Sequence, residues 1–194
     1  DYVRKPDSAG PPMPVVEAKV VDEHGVERAV GETGELWLKG PTVIRGYWNR
    51  PDATASTFTD GWLHTGDLAY LDDEGFIFIV DRAKDMLIRG GENVYSVEIE
   101  AALFEHPDVL DACVVGIPDM VLGEEVAAII QLRPGSDLDA ASIRHHVAGR
   151  LAAFKVPRYV LFRDEPLPRN AAGKLLKRQI KDAVIEQEIE QTEP

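Results

Sequence analysis

The first eighty residues contain short apolar runs separated by turn-forming residues, a pattern typical of β-strands and hairpins. The runs predicted to be strands are residues 15–21, 35–39, 67–71 and 76–80. Between the last two lies Asp72-Asp73-Glu74-Gly75, which suits a hairpin connection. One short helical turn is expected near residues 52–57. This part of the chain is therefore predicted to be mostly β.

From residue 81 onward the pattern changes, because apolar residues now recur at helical as well as strand spacing. Helices are predicted at residues 96–105, 138–151 and 174–188, and strands at 86–89, 109–116, 125–132 and 156–162. Ser96 is expected to cap the first of these helices. The predicted fold class is α+β, with a β-rich domain at residues 1–80 and an α+β domain at residues 81–194.

The chain of 194 residues has a formal net charge of −13. Residues 1–80 contain 7 basic and 14 acidic side chains, and residues 81–194 contain 14 and 20, so both parts are acidic. A nucleic-acid backbone requires a basic surface, so the charge argues against general nucleic-acid binding.

No stretch of the sequence suits a membrane span. The longest run free of Asp, Glu, Lys and Arg is residues 8–16, whereas a spanning helix needs about 20 apolar residues. A secretion signal is not seen either, and we expect a cytoplasmic protein. Cys113 is the only cysteine, so it cannot form an internal disulfide, and its apolar neighbours predict a buried thiol.

A first polar cluster, His64-Thr65-Gly66-Asp67, lies where the third predicted strand begins. The glycine permits close approach to the backbone. The carboxylate of Asp67 can accept two hydrogen bonds, as a ribose diol would donate. The alternative is an aspartate that closes a turn, and this tetrapeptide alone favours the alternative.

A second cluster combines the charged run at residues 81–85 with the pair Gly90-Gly91. The run includes Arg82 and Lys84 and lies between two apolar strands, where a solvated linker is the alternative. The glycine pair forms a tight turn or lets an elongated ligand pass close to the backbone.

A third cluster, residues 168–174, presents Lys174 directly after a glycine and ahead of the last predicted helix. A lysine in such a loop can reach outward. Residues 169–181 contain five basic and no acidic side chains, which favours an anionic partner, although a chance cluster on a helix face is an equal alternative. The loop is not a Walker phosphate loop, because that motif requires glycine in place of Pro168 and Ser or Thr in place of Leu175.

Taken in order, these clusters resemble the adenylate-forming enzyme superfamily, which contains acyl-CoA synthetases, carrier-protein adenylation domains and beetle luciferases. Seven segments carry the resemblance and extend over nearly the whole chain. They are residues 34–37, 46–48, 62–67, 81–93, 98–100, 154–157 and 168–174. Residues 81–86 and 90–93 are most similar to fatty-acyl or aryl CoA ligases, so the implied substrate is a carboxylic acid, with a fatty acid expected first.

The resemblance implies a reaction in two halves. A carboxylate attacks the α-phosphate of ATP to give acyl-AMP and pyrophosphate, and the thiol of CoA then displaces AMP. Asp67 and Arg82 are implied to bind the nucleotide. Asp67 would hold the ribose hydroxyls, and Arg82 would contact the same ribose or a nearby phosphate, which suits a planar cation with several donors.

The resemblance also implies roles for residues further along the chain. Lys84 would be the hinge about which a small C-terminal lid domain rotates between the two half-reactions. Lys174 would be catalytic in adenylation, because a cation placed between the carboxylate and the phosphate offsets their repulsion. Gly90 and Gly91 would line the path of the pantetheine arm of CoA.

This sequence departs from the family pattern in one residue and in several segments that it lacks. Asp81 stands where many members carry glycine, and the phosphate-binding loop, the magnesium-binding glutamate and the acyl pocket have no counterpart here. Residues 1–80 are therefore expected to be the end of a large N-terminal domain and residues 81–194 the mobile lid. Magnesium would bind outside this chain, with no metal site within it.

Two expectations concern the chain as a whole. It is expected to be inactive alone, and apolar surface meant for the missing domain would favour homo-oligomers. Two alternative functions stay open: an adenylation domain that loads a carrier protein, and a β-rich binding or regulatory module without chemistry. The acceptor thiol distinguishes the first from a CoA ligase, and the sequence encoded upstream distinguishes the second.

Overall fold

The computed structural model describes residues 3–192, with the backbone alone for residues 187–192. The chain divides into two compact units, Asp1–Lys84 (unit 1) and Asp85–Pro194 (unit 2). The predicted α+β class is confirmed. None of the helices in the described range is both long and apolar enough to cross a membrane.

Unit 1 is an antiparallel sheet with one short helix. Its elements are β1 (Glu17–Val21), β2 (Gly34–Lys39), α1 (Pro51–Thr57), β3 (Phe58–Thr59), β4 (Trp62–Leu71) and β5 (Ile77–Arg82). Strand β4 is central: β2 pairs along one edge, and on the other edge β3 pairs with its beginning and β5 with its end. A small core of Val20, Leu36, Ala69 and Ile77 lies on one face.

The predicted connection between the last two strands of unit 1 is confirmed as a hairpin. The carboxylate of Asp72 accepts hydrogen bonds from the backbone N–H groups of Glu74 and Phe76, at 3.0 and 2.9 Å. The turn therefore follows from an aspartate at its first position, which bonds its own following backbone.

Unit 2 is a mixed sheet covered by helices. Its elements are β6 (Leu87–Arg89), β7 (Glu92–Val94), α2 (Ser96–Phe104), β8 (Val109–Asp119), β9 (Gly123–Leu132), α3 (Ala140–Ala148), a 3-10 turn (Ala153–Lys155), β10 (Tyr159–Arg163) and α4 (Lys177–Thr192). Strand β9 is central, antiparallel to β8 and β6 and parallel to β10. Strands β6 and β7 form a hairpin.

Successive residues of β9 belong to two different cores. Val126, Ala128 and Ile130 pack with residues of α2 and α3 on one face of the sheet. Ala127 and Ile129 pack with residues of α4 on the other. Because side chains alternate between the faces of a strand, an uninterrupted apolar strand requires this cover on both sides.

Two details differ from the sequence-based expectation. The division between the units falls after Lys84 rather than after residue 80, because β5 continues through Arg82 in register with β4. Ser96 does not cap α2. Tyr95 occupies the capping position without a side-chain bond, and the buried hydroxyl of Ser96 instead accepts a hydrogen bond from Lys177 Nζ at 2.7 Å.

Candidate functional site

Asp67 and Arg82 are brought together by the pairing of two strands. They are partners in the antiparallel register of β4 and β5. Arg82 Nε lies 2.8 Å from Asp67 Oδ1, and the two side chains are 44% and 27% exposed. A carboxylate with a second acceptor oxygen thus lies beside a guanidinium with further donors, and both are accessible to a ligand.

The backbone that carries Asp67 is held by hydrogen bonds to β2. The hydroxyl of Thr65 donates to the carbonyl of Leu36 at 2.7 Å and accepts from the N–H of Asp67 at 3.0 Å. Glu35 accepts from the N–H of Gly66 at 3.1 Å. These bonds fix the approach of the chain to Asp67 without using its carboxylate.

Asp81, the residue that departs from the family pattern, has a local structural role. It is buried, and its Oδ1 accepts a hydrogen bond from the N–H of Arg82 at 2.7 Å. Lys84, two residues further on, is exposed in the turn after β5 and is the last residue of unit 1.

Gly90 and Gly91 form the two-residue loop of the β6–β7 hairpin, between the paired Arg89 and Glu92. Their φ angles are 60° and 87°. Two consecutive positive φ angles are the requirement of a type I′ turn, which strongly favours glycine. The N–H of Gly90 also donates to the carbonyl of Leu122 at 2.8 Å. The turn by itself therefore accounts for this glycine pair.

Lys174 lies in a loop that is organised by one asparagine. Oδ1 of Asn170 accepts hydrogen bonds from the N–H groups of Ala172 and Lys174, at 3.0 and 2.9 Å. The N–H of Asn170 donates to the carbonyl of Lys174 at 2.9 Å. The backbone of Lys174 is thus fixed, while its exposed side chain forms no ion pair or hydrogen bond with the described residues.

A buried ion pair in unit 2 was not foreseen from the sequence. Glu125, near the start of β9 and 1% exposed, accepts two hydrogen bonds from Arg89, at 2.7 and 3.0 Å. The bonds from Arg89 lower the pKa of the Glu125 carboxyl below its usual value. The available signal was a glutamate immediately before the apolar run of β9, which requires a cationic partner when buried.

The family-like segment at residues 98–100 is joined to two later parts of unit 2 by ion pairs. Lys155 Nζ lies 2.5 Å from Glu98, and Lys177 Nζ lies 2.8 Å from Glu100. Both glutamates project from α2, so these charges attach the helix to the 3-10 turn and to the start of α4.

The thiol of Cys113 is buried as expected. Desolvation raises its pKa to about 12, which makes it a poor nucleophile.

The candidate residues therefore fall into two groups. Asp67 and Arg82 are in contact in unit 1, whereas the Gly90-Gly91 turn and the Lys174 loop are separate features of unit 2. Among the described residues, no group of three or more His, Cys, Asp or Glu side chains is arranged to hold a metal ion.

Comparison with known proteins agrees with the resemblance. The AMP-binding enzyme C-terminal domain matches residues 98–174, and the AMP-binding enzyme family matches residues 1–48. The long-chain-fatty-acid–CoA ligase of Bacillus subtilis (strain 168) is 44% identical over 187 residues, which are 96% of this chain and 32% of that protein. The 2-succinylbenzoate–CoA ligase of Geobacillus kaustophilus (strain HTA426) is 46% identical over 174 residues, 90% of this chain and 35% of that protein.

Solved structures give the same result. ATP-bound MatB from Rhodopseudomonas palustris superposes with a TM-score of 0.87 at 39% identity, covering 93% of this chain and 36% of that one. The o-succinylbenzoate CoA synthetase MenE from Bacillus subtilis, in complex with its acyl-adenylate intermediate, gives 0.86 at 40%, covering 93% and 37%. The chain belongs to the AMP-binding, adenylate-forming enzyme family. It spans about a third of the length of the curated relatives it matches.

Proposed function

We propose that this chain is the C-terminal part of an ATP-dependent acyl-CoA ligase. The whole enzyme would convert a carboxylic acid and ATP to acyl-AMP and pyrophosphate, and then transfer the acyl group to CoA with release of AMP. The relatives include ligases named for long-chain fatty acids and for 2-succinylbenzoate. A fatty acid is therefore the first substrate to test and 2-succinylbenzoate the second.

The observation that carries the proposal is the contact between Asp67 and Arg82. A ribose diol donates two hydrogen bonds, and Asp67 can accept them at its outer oxygen and at the oxygen it now shares with Arg82. Arg82 has further donors for a ribose or phosphate oxygen. The two side chains fit the sugar of a nucleotide better than either would alone.

Lys174 is the residue we assign to adenylation. Its side chain is exposed on a fixed backbone, so it can enter the space between an incoming carboxylate and the α-phosphate. There the ammonium would attract both anions and stabilise the charge that develops in the transition state. Lys84 would act as the hinge, and Gly90 and Gly91 would lie along the pantetheine arm.

Magnesium and the triphosphate would be held outside this chain. A MenE structure from Bacillus subtilis contains ATP and a magnesium ion. No group of described residues here suits a metal, and we assign no metal ligand to this chain. Residues 1–84 would be the end of the large domain and residues 85–194 the lid.

The test is Lys174→Ala in the complete gene product. Adenylation, measured as pyrophosphate exchange with a fatty acid and with 2-succinylbenzoate, should fall on the order of 10²–10³-fold. Thioester formation from supplied acyl-AMP and CoA should persist, which serves as the internal control for folding. Equal loss of both half-reactions would contradict the assigned role of Lys174.

Two further measurements separate the proposal from the alternatives. CoA should accept the acyl group, whereas acceptance only by a carrier protein would favour a carrier-loading domain. The 194 residues alone should catalyse neither half-reaction, because positioning of reactants accounts for about 7–11 kcal/mol of the barrier reduction in favourable cases. Turnover or micromolar ATP affinity of the chain alone would overturn the assignment to a part of an enzyme.

A further inference from the structure

Arg169 joins the loop that carries Lys174, residues 168–174, to the sheet of unit 2. Its Nη2 lies 2.7 Å from Asp111 Oδ2, and its Nη1 donates to the carbonyl of Gly173 at 2.8 Å. Asp111 is on β8, and its side chain is only 16% exposed. Its other carboxylate oxygen accepts a bond from the N–H of Ala112 at 3.0 Å. One guanidinium thus connects a fixed point on a core strand with the residue immediately before Lys174.

The ion pair of Arg169 with Asp111, called the clamp below, and Asn170 of the same loop act differently. Asn170 bonds within the loop and sets its internal shape. Arg169 is the side chain that bonds to Asp111, 58 residues earlier in the chain, and so sets where that shape lies relative to β8. Loss of Asn170 would remove the bonds that shape the loop, whereas loss of Arg169 would remove one bond within the loop, to Gly173, together with its attachment to β8, so that the loop opens more often and can shift.

We propose that Arg169 and Asp111 are positioning residues for adenylation, acting through Lys174. This inference rests on the proposed function. A lysine side chain is long and flexible, so its ammonium is placed only as well as its backbone is held. The planar guanidinium can bond the carboxylate and the carbonyl simultaneously with separate nitrogens, whereas a lysine would have to make both bonds from a single nitrogen.

A first experiment measures the clamp without any activity. Amide hydrogen exchange is followed in the 194-residue chain and in Arg169→Ala. Exchange at residues 172–174 should accelerate about tenfold, which corresponds to loss of roughly one hydrogen bond, while the interior of β8 stays protected. Arg178→Ala, which removes a nearby exposed arginine of α4, is the matched control and should not change the loop. Unchanged exchange in Arg169→Ala would overturn the clamp.

A second experiment measures the consequence in the complete gene product. Arg169→Ala and Asp111→Ala should each lower adenylation by about 10- to 100-fold, because a small displacement of a catalytic group has effects of this size. Thioester formation from supplied acyl-AMP should stay within about twofold. Arg169→Lys should be intermediate, and the double variant should be no worse than the worse single variant, since the two residues form one unit.

The outcomes separate this inference from the proposed function. Normal adenylation in Lys174→Ala would refute the function assigned to that lysine, whatever the exchange data show. Impaired adenylation in Lys174→Ala with normal adenylation in Arg169→Ala would refute the positioning role alone. Arg178→Ala is assayed for adenylation beside Arg169→Ala. An equal loss of adenylation in these two variants would show that local positive charge, rather than the position of Lys174, is what matters, and would refute the positioning role.

Discussion

The two units of the chain bury apolar surface in different ways. In unit 2, both faces of the sheet are covered, by α2 and α3 on one side and by α4 on the other. In unit 1 the clustered core consists of four residues on one face of the sheet. Among the described residues, eight apolar side chains are buried in unit 1 and twenty-one in unit 2. Unit 2 therefore has the interior of a small independent domain, and unit 1 does not.

The surfaces of the two units do not show this difference. Unit 2 exposes Met120 and Val121 at the β8–β9 turn, and unit 1 exposes Trp48, which is 97% accessible. Exposed apolar residues alone are common in folded proteins. The interior, rather than the number of exposed apolar side chains, therefore decides which unit can fold alone.

The largest expected effect is obtained by separating the units. Residues 85–194 should unfold as a monomer in one cooperative thermal transition, because both cores lie within them. Residues 1–84 should show no cooperative transition and should aggregate, because their core is too small to offset the entropy of ordering the chain. Circular dichroism and size-exclusion chromatography check both. If residues 1–84 were monomeric and unfolded cooperatively, the conclusion that unit 1 lacks the interior of an independent domain would be wrong.

The sequence predicted the elements of both units where the local pattern is strong. Strand β9 was recognisable because residues 126–130 are all apolar. Helix ends were less accurate: α3 was expected to continue to Leu151, which packs on the core from beyond the helix. The last helix begins at Lys177 rather than at 174, since Leu175 bridges to Arg169. The short strands β3 and β7 have no apolar pattern of their own and were missed.

The candidate site was recognisable from the sequence by its segments, but not by its contacts. The family-like runs containing Asp67 and Arg82 were visible, whereas their ion pair depends on the register of β4 with β5. Arg89 and Glu125 are 36 residues apart, and Arg169 and Asp111 are 58 apart. Such partners are selected by the packing of the sheet, which local patterns do not encode.

The next largest effect should come from the buried ion pair of unit 2. Glu125→Ala leaves Arg89 without its main partner, and breaking a buried pair in this way costs about 3–5 kcal/mol. Glu105→Ala is the matched control, because its pair with Arg150 is largely exposed and should matter little. Urea unfolding of residues 85–194 measures both. Equal effects would mean that burial does not govern the strength of these pairs.

The same pair should make the stability of unit 2 depend on pH. Because the pKa of the Glu125 carboxyl is lower when folded, its contribution is fully present above the usual glutamate value of about 4.3. The contribution is lost as the pH falls below that value. The difference in unfolding free energy between wild type and Glu125→Gln should therefore shrink as the pH falls from 5 to 3. A difference that is constant over this range would contradict a lowered pKa of the Glu125 carboxyl in the folded state.

The smallest effect is expected from substitutions in the β6–β7 turn, which test how much its two glycines contribute to the stability of unit 2. Gly90→Ala should destabilise residues 85–194 by about 1–2 kcal/mol, because an L-residue at φ 60° is strained. Its Cβ would also lie 3.2 Å from Leu122 Cδ2. Gly91→Ala has similar φ strain but open space around its Cβ, so it should cost less. Urea unfolding measures both variants. If neither alanine changes stability, the turn does not require the glycines, and a ligand that passes close to the backbone becomes the better explanation for the pair.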